Sequence, residues 1–243
     1  YSRSNTIFDT SIGWRFINPK LAKMYPPYAM GETAENLAEK YGISRTEQDE
    51  FSYQSQLKYQ TAFELDKFKN EIIPISVPRR KAVDLIFDTD EHPRLSDVNT
   101  LGKLRPAFRE NGTVTAGNSS GINDGAAALI IVSEEALKRF NLKPIAEVVS
   151  SAAVGVAPEI MGIGPVQASR KAVKRAGIRM QDIDLIELNE AFAAQSIACI
   201  RDLDIDPSLI NVNGGSIAIG HPLGASGARI TNTLLYELIN LEN

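Results

Sequence analysis

Cysteine and histidine are scarce in this sequence. Its 243 residues include one cysteine, Cys199, and two histidines, His92 and His221. A single cysteine excludes an internal disulfide, and no cluster of cysteine and histidine has the spacing of a zinc site, so we expect no metal. Because Cys199 lies in the apolar stretch 197–200, we interpret it as a core thiol rather than a nucleophile.

The sequence also lacks long apolar runs and an excess of basic residues. No run approaches the roughly 20 apolar residues that a membrane-spanning helix needs, and no signal peptide is visible. The net charge of −4 provides no basic field for nucleic acid. With 43% hydrophobic and 23% charged residues, the composition is typical of a globular protein. We therefore expect a cytoplasmic protein without membrane or nucleic-acid partners.

The most informative segment is the glycine-rich run 214–227, which contains His221. Glycine allows the backbone to approach a ligand closely, and Pro222 restricts the preceding histidine to extended conformations. A helical pattern with Ile230 and Leu234 follows, so His221 precedes a helix N-terminus, where negative charge is favoured. The segment alone leaves two interpretations open, a reactive histidine or a tight turn with a structural one.

Two other segments combine small and polar residues. The segment 189–195 follows a predicted strand, 183–188, and ligand sites of α/β folds lie at the carboxyl ends of strands. Asn189 would either present its amide to a carbonyl or a water, or cap the next helix. The glycine-rich segment 112–125 is either a ligand-binding loop or an ordinary packed loop.

Basic residues that could bind a phosphate lie in the irregular segment 79–113. Most such side chains are solvated, so we expect one or two at most to contact a ligand. The candidates are Arg94, Lys103, Arg105 and Arg109.

Alternating strand and helix patterns predict an α/β layered core. The apolar runs 126–132, 145–153 and 183–188 are typical of buried strands. The segment 71–77 is interrupted by Pro74, which indicates an edge strand. Predicted helices cover 32–40, 44–64, 167–176, 190–203 and the C-terminal segment.

Five motifs, taken in order, resemble the thiolase family over essentially the whole chain. Two are hallmarks: Asn-Glu-Ala-Phe at 189–192 and the glycine-histidine run 214–227; the others are 30–36, 104–108 and 112–125. The resemblance implies a layered αβαβα core of two similar halves with an inserted lid domain. It divides the chain into the lid at 1–122, the end of the N-terminal half at 123–143 and a truncated C-terminal half at 144–243.

The resemblance also implies a reaction. Thiolases exchange an acyl group between 3-oxoacyl-CoA and CoA, by thiolysis or the reverse Claisen condensation, through a cysteine thioester. They use coenzyme A as a substrate, need no cofactor, and form homodimers or homotetramers. Two alternatives are a non-catalytic module that binds CoA or acyl-CoA and a ketoacyl-synthase-type condensing enzyme; the Asn-Glu-Ala-Phe motif favours thiolase over the latter.

Site residues follow from the resemblance, position by position. His221 matches the histidine that activates the nucleophilic cysteine and helps form an oxyanion hole, and Asn189 matches the asparagine that holds a water there. The remaining matches are Phe192, Phe108, Ala116 and Ser120 around the pantetheine arm, Arg94 at the nucleotide and Met30 in the acyl pocket.

The chain departs from the family pattern in its cysteines. The nucleophilic and the acid/base cysteines of the family are both absent, and Cys199 matches neither. The first residue, Tyr1, and an uncapped helical pattern up to Asn243 suggest a piece of a longer thiolase. We therefore expect this fragment alone to be inactive.

Substrate choice within the family stays open. Ala29 replaces a histidine that acetoacetyl-type members often carry, and the segment 9–19 resembles thiolases that act on 3-oxoadipyl-CoA in aromatic degradation. Acetyl-CoA acetyltransferase is the competing assignment. Aromatic or fatty acid degradation is the expected pathway, and the degradative or biosynthetic direction of the reaction stays open. Arg15 would pair with a substrate carboxylate, or Trp14 and Arg15 would pack at the lid or at a subunit interface.

Overall fold

Residues 13–241 are described in a computed structural model of the chain, and most of their regular structure is helical. The first four residues of the segment 9–19 lie outside the described residues. In chain order the α-helices are α1 (Pro19–Ala22), α2 (Met30–Tyr41), α3 (Arg45–Glu64), α4 (Val98–Gly102), α5 (Glu134–Phe140), α6 (Gly164–Ala176), α7 (Ala193–Leu203), α8 (Ser216–Ile219) and α9 (Ser226–Leu241). Short 3₁₀ segments cover Pro158–Ile163, Met180–Asp182 and Pro207–Leu209.

Local signals explain where the predicted helices begin and end. The helix 44–64 is confirmed as α3, because Ser44 Oγ accepts from the Glu47 N–H and the Glu47 carboxylate accepts from the Ser44 N–H, which completes a capping box. The predicted helices 32–40 and 167–176 lie within α2 and α6. The helix predicted at 190–203 begins only at Ala193, because Phe192 is held extended by a bridge to Ser119.

The prediction of strands at 126–132, 145–153 and 183–188 is wrong for this structure. The sheet within residues 13–241 is an antiparallel pair, β1 (Ile75–Val77) with β2 (Leu85–Phe87). The three apolar segments are extended, but a strand needs a hydrogen-bonded neighbour, and the described part of the chain gives them only a parallel bridge from Ile186 to Ile210. Large apolar side chains of the first two segments are accordingly exposed, as Ile130 (91%) and Val148 (73%) show, whereas the segment 183–188 is largely half-buried.

Two smaller predictions need correction in the same region. The strand expected over 71–77 is limited to β1, which begins directly after Pro74, since proline cannot donate to a strand ladder. The segment 79–113, expected to be irregular, contains β2 and α4. Asp97 caps α4 by accepting from the N–H of Thr100.

Two apolar clusters fix the arrangement around the C-terminal loops. The first joins α2, α6 and α7 and consists of Leu37, Ala38, Ile43, Ile163, Val166, Ala194, Ala198 and Cys199. The second packs the end of α3 on α8 through Tyr59, Ala62, Phe68 and Ala218. Burial of these side chains provides the main favourable free energy of packing. Helices of the predicted lid therefore lie directly against the loops that carry Asn189 and His221.

The division of the chain at residues 122 and 143 stays a prediction. The described residues contain no helix that is long and apolar enough to cross a membrane.

Candidate active site

His221 lies where two glycine-rich loops meet. Its backbone N–H donates to Gly121 O at 3.1 Å, and Ile122 forms a parallel bridge with it, so the segment 112–125 runs beside the segment 214–227. The preceding residue, Gly220, has φ 105°, a left-handed conformation that favours glycine. A Cβ there would also lie 2.4 Å from Asn123 Oδ1. Glycine at this position therefore allows the two loops to approach closely.

The hydrogen bonds of Ser226 determine which nitrogen of His221 carries the proton. Ser226 Oγ donates to Pro222 O at 3.2 Å, so its one proton is already used. With that proton assigned to Pro222 O, the 2.6 Å contact between His221 Nδ1 and Ser226 Oγ is a hydrogen bond that the imidazole donates from Nδ1. In the neutral ring the other nitrogen, Nε2, is then an unprotonated acceptor. Nε2 can take a proton from a thiol.

The environment of His221 favours the neutral ring. Desolvation by burial lowers the pKa of His221 below its usual 6.5, and the positive charge of Arg229 lowers it further. The imidazole is therefore neutral at pH 7, as a general base must be.

Asn189 presents its amide to the same nitrogen. Its Nδ2 lies 3.5 Å from His221 Nε2, and its Oδ1 accepts from Ser216 Oγ at 2.7 Å. Of the two interpretations of Asn189, helix capping is wrong, because Phe192 is the N-cap residue of α7 and no side chain caps that helix. The amide faces the imidazole instead, and the two side chains form one polar pair.

The segment 112–125 packs against the Asn-Glu-Ala-Phe segment. The Ser120 N–H and Oγ both donate to Ala191 O, at 3.0 and 3.2 Å, and the Ala193 N–H donates to Asn118 O at 2.9 Å. Asn118 is fully buried, and its amide donates to Asp49 Oδ1 of α3. These bonds hold three distant parts of the sequence around one site.

A single cavity of about 1360 Å³ is lined by all the residues that the family resemblance assigns to the site. Phe108 and Phe192 meet edge to face on its wall, with ring centroids 5.8 Å apart. The predicted residues that line it are Met30, Arg94, Phe108, Ala116, Ser120, Asn189, Phe192 and His221. Most of its lining is apolar with a few convergent polar groups, which is the usual character of a small-molecule site.

The other basic candidates lie elsewhere. Arg109 bonds Asn36 Oδ1 at 2.6 Å and pairs with Glu39, so it joins the loop before 112–125 to α2. Lys103 and Arg105 are not among the lining residues, which leaves Arg94 as the candidate of this group that reaches the cavity. Sequence reasoning missed His92, which also lines the cavity and has a pKa lowered by burial and by Arg94.

Glu190 lies behind the site and is 2% exposed. Its carboxylate accepts from Ser55 Oγ and Asn211 Nδ2, each at 2.7 Å, and from the Ile217 N–H at 3.1 Å. Sequence reasoning gave this residue no role of its own, because its partners Ser55 and Asn211 are distant in the chain. The network connects α3 and α8 to the segment that carries Asn189.

A second buried acidic group lies around Arg229. Desolvation raises the pKa of Glu187 to about 8 and that of Glu71 to about 7. Glu187 Oε2 lies 4.0 Å from Arg229 Nη1, and both side chains are largely buried. No group of three metal-binding side chains occurs between residues 13 and 241.

Comparison with known proteins identifies the relatives of the chain. The families described as "Thiolase, N-terminal domain" and "Thiolase, C-terminal domain" match residues 3–135 and 142–243. A beta-ketoadipyl-CoA thiolase of Acinetobacter baylyi is 50% identical over 98% of the chain and 60% of its own length. An acetyl-CoA acetyltransferase of Syntrophomonas wolfei is 54% identical over 90% of the chain and 55% of its own length.

Solved structures agree with these relatives. Human mitochondrial 3-ketoacyl-CoA thiolase in complex with CoA superposes with a TM-score of 0.85 at 48% identity, over 89% of this chain and 54% of that one. The Bacillus anthracis acetyl-CoA acetyltransferase has a TM-score of 0.87 at 41% identity, over 98% and 62%. The predicted fold class is confirmed, and the chain spans about 60% of the length of the curated beta-ketoadipyl-CoA thiolase that it matches.

Proposed function

The chain belongs to the thiolase family, and we propose that the full-length protein transfers an acyl group between a 3-oxoacyl-CoA and CoA. The observation that carries this proposal is the state of His221: its Nδ1 donates to Ser226, which leaves Nε2 as a base beside the Asn189 amide. Such a base can take the proton of a thiol. The imidazolium that results can then donate a hydrogen bond to the oxyanion that forms from the thioester.

The reacting thiol comes from outside these 243 residues. Cys199 is fully buried in the cluster of α2, α6 and α7, and its thiol donates to Gly162 O at 3.3 Å. Desolvation raises its pKa to about 11, whereas a nucleophilic cysteine needs a lowered one. We therefore expect this chain alone to be inactive, and the substrates to be acyl-CoA and CoA without a further cofactor.

The substrate class has two candidates, 3-oxoadipyl-CoA and acetoacetyl-CoA. Gly13 and Met30 both line the cavity, which supports a position of Arg15 close to the acyl end of the substrate. Trp14 Nε1 donates to Tyr28 O at 3.1 Å, so this tryptophan ties its segment to the start of α2. A guanidinium near the acyl end would pair with the second carboxylate of 3-oxoadipyl-CoA. The chain is 50% identical to the beta-ketoadipyl-CoA thiolase and 54% identical to the acetyl-CoA acetyltransferase, which supports both substrates as candidates.

We also propose that the full-length protein forms a homodimer or a homotetramer in the cytoplasm. Large apolar side chains exposed around α1, namely Trp14, Phe16 and Met24, support a subunit interface. Sedimentation equilibrium of the full-length protein tests the assembly, and a monomeric mass rejects it.

The test of the activity is a thiolysis assay of the full-length protein with acetoacetyl-CoA, 3-oxoadipyl-CoA and longer 3-oxoacyl-CoA substrates. We expect release of acetyl-CoA that requires free CoA. Arg15→Met should raise KM for 3-oxoadipyl-CoA and leave that for acetoacetyl-CoA unchanged if Arg15 pairs with the carboxylate. Binding of CoA without turnover of any substrate would instead identify a non-catalytic module.

A further inference from the structure

A chain of hydrogen bonds leads from Arg229, in α9, to the polar pair of the site. Arg229 Nη2 donates to Ser216 Oγ at 2.9 Å, and Ser216 Oγ donates to Asn189 Oδ1 at 2.7 Å. Asn189 Nδ2 then lies 3.5 Å from His221 Nε2. Ser216 does not itself line the cavity, and its hydroxyl reaches the site through Asn189, which does.

The first member fixes the direction of the first bond in this chain, and the geometry assigns the second bond from Ser216 to Asn189. A guanidinium has donors and no acceptor, and it stays charged at any ordinary pH. Ser216 must therefore accept from Arg229, and its single proton is left for Asn189. The atom of Asn189 that receives this proton must be the carbonyl oxygen, so the NH₂ group is the end that points toward His221.

Arg229 is itself held in place. Its side chain is 15% exposed, and Glu187, whose side chain is 6% exposed, lies 4.0 Å away. The α9 backbone around it begins at Ser226, the hydroxyl partner of His221 Nδ1. One helix thus positions both nitrogens of the imidazole, Nδ1 directly and Nε2 through Ser216 and Asn189.

We propose that Ser216 is a positioning residue that fixes the amide orientation of Asn189 and so keeps a donor, not an acceptor, facing His221 Nε2. The inference rests on the proposed acyl transfer and adds to it a control on the protonation of the base. A donor beside Nε2 opposes protonation of that nitrogen, whereas a carbonyl oxygen there would stabilise the imidazolium.

Removal of the Ser216 hydroxyl releases the amide of Asn189. The amide can then rotate and present Oδ1 to Nε2, which favours a proton on that nitrogen and raises the pKa of His221. Arg229 is the charged group that acts on this imidazole, and the other charged or titratable side chains that line the cavity are His92, Arg94 and Glu187. These groups stay in place in a Ser216 variant, so a change in the pKa of His221 is due to the loss of the Ser216 hydroxyl.

The experiment compares Ser216→Ala with a matched control, Ser196→Ala, in the full-length protein. Ser196 is also fully buried, and its hydroxyl has no hydrogen-bond partner within the described residues. For Ser216→Ala we expect kcat/KM at pH 7 to fall about tenfold, the loss of one hydrogen bond in the transition state. We also expect the acidic limb of the kcat/KM profile to move to higher pH. Ser196→Ala should leave both unchanged.

Nitrogen-15 spectra of the histidine rings provide a second measurement, with the signals of His221 assigned from a His221→Asn variant. The unsubstituted protein should show Nδ1 protonated and Nε2 unprotonated, and Ser216→Ala should shift the population toward protonated Nε2. Should the alanine variant not fold, Ser216→Cys gives the comparison, because a thiol is similar in size and a weak donor.

The outcomes separate this inference from the proposed function. A lower rate with an unmoved acidic limb would show a structural role only and overturn the inference, as would an unchanged profile. A full-length protein without thiolysis would reject the proposed function, and the ring spectrum would then decide the inference alone: a proton on Nε2 in the unsubstituted protein overturns it.

Discussion

Ser55 and Glu190 lie 135 residues apart in the chain and meet in the interior, where Ser55 Oγ donates to Glu190 Oε2 at 2.7 Å. The same Ser55 oxygen accepts from the Gly215 N–H at 3.0 Å, so its proton is committed to the carboxylate. This pair connects α3 to both segments that carry the site, because Glu190 follows Asn189 and Gly215 lies in the run 214–227 that contains His221.

A first prediction concerns the charge of Glu190. Glu190 Oε1 accepts from Asn211 and Oε2 accepts from Ser55 and the Ile217 N–H, so each oxygen faces an N–H donor that cannot accept. Glu190→Gln would direct an NH₂ group at one of them in either orientation. We expect the free energy of unfolding to fall by about 1–3 kcal/mol, the cost of an unsatisfied buried polar group. Denaturant titration of the full-length protein measures it.

The matched control for that substitution is Glu134→Gln in α5. Glu134 is exposed and pairs with Lys138 on the surface, so the same chemical change should cost less than about 0.5 kcal/mol. Equal effects of the two substitutions would show that the buried network contributes nothing.

A second prediction concerns the close approach of Gly215 to Glu190. A Cβ at Gly215 would lie 2.3 Å from Glu190 Oε1, and the buried carboxylate has no room to move. Gly215→Ala should therefore displace the network and lower both the melting temperature and kcat. Gly224→Ala, in the same glycine-rich run, would place its Cβ in open space and should change the melting temperature little. Calorimetry measures the melting temperatures of the two variants, which should differ.

The pKa of Glu71 leads to a third prediction. Burial raises it from 4.5 to about 7, so the folded protein holds a proton there that the unfolded chain releases. The contribution of the protonated Glu71 carboxyl to the free energy of unfolding is fully present below pH 4.5 and is lost as the pH rises through 7. Glu71→Gln stays neutral and should be more stable than the unsubstituted protein at pH 8, by about 1–3 kcal/mol.

Unfolding curves of Glu71→Gln and of the unsubstituted protein at pH 5 and pH 8 test whether the stability difference between them grows with pH. The exposed Glu64→Gln, in α3, is the control and should leave the dependence on pH unchanged. A difference between Glu71→Gln and the unsubstituted protein that does not grow with pH would contradict the buried, protonated state of Glu71.

The candidate residues that line the cavity could be chosen from the sequence because their motifs are local. The histidine between Gly220 and Pro222, the asparagine after the segment 183–188 and the pocket residues from Met30 onward all occur in short recognisable runs. All of them line one cavity. Burial of Cys199 followed in the same way from its apolar neighbours.

The rest depends on contacts between distant parts of the chain. Strands at 126–132 and 145–153 were expected from apolar runs, but hydrogen-bonded neighbours decide whether such a run becomes a strand. Glu190 and Ser216 sit inside recognised motifs, yet their roles come from Ser55 and Arg229, whose side chains carry no local signal. Helix starts shifted for the same reason, as the bridge from Ser119 to Phe192 shows.

The most direct measurement is the rate of thiolysis by the full-length protein with His221→Ala. Loss of a general base should lower kcat by about 10²–10⁴-fold while the protein stays folded, because Ser226 and Asn189 keep their other bonds. A folded variant that cleaves 3-oxoacyl-CoA at nearly the unsubstituted rate would contradict the role of this imidazole.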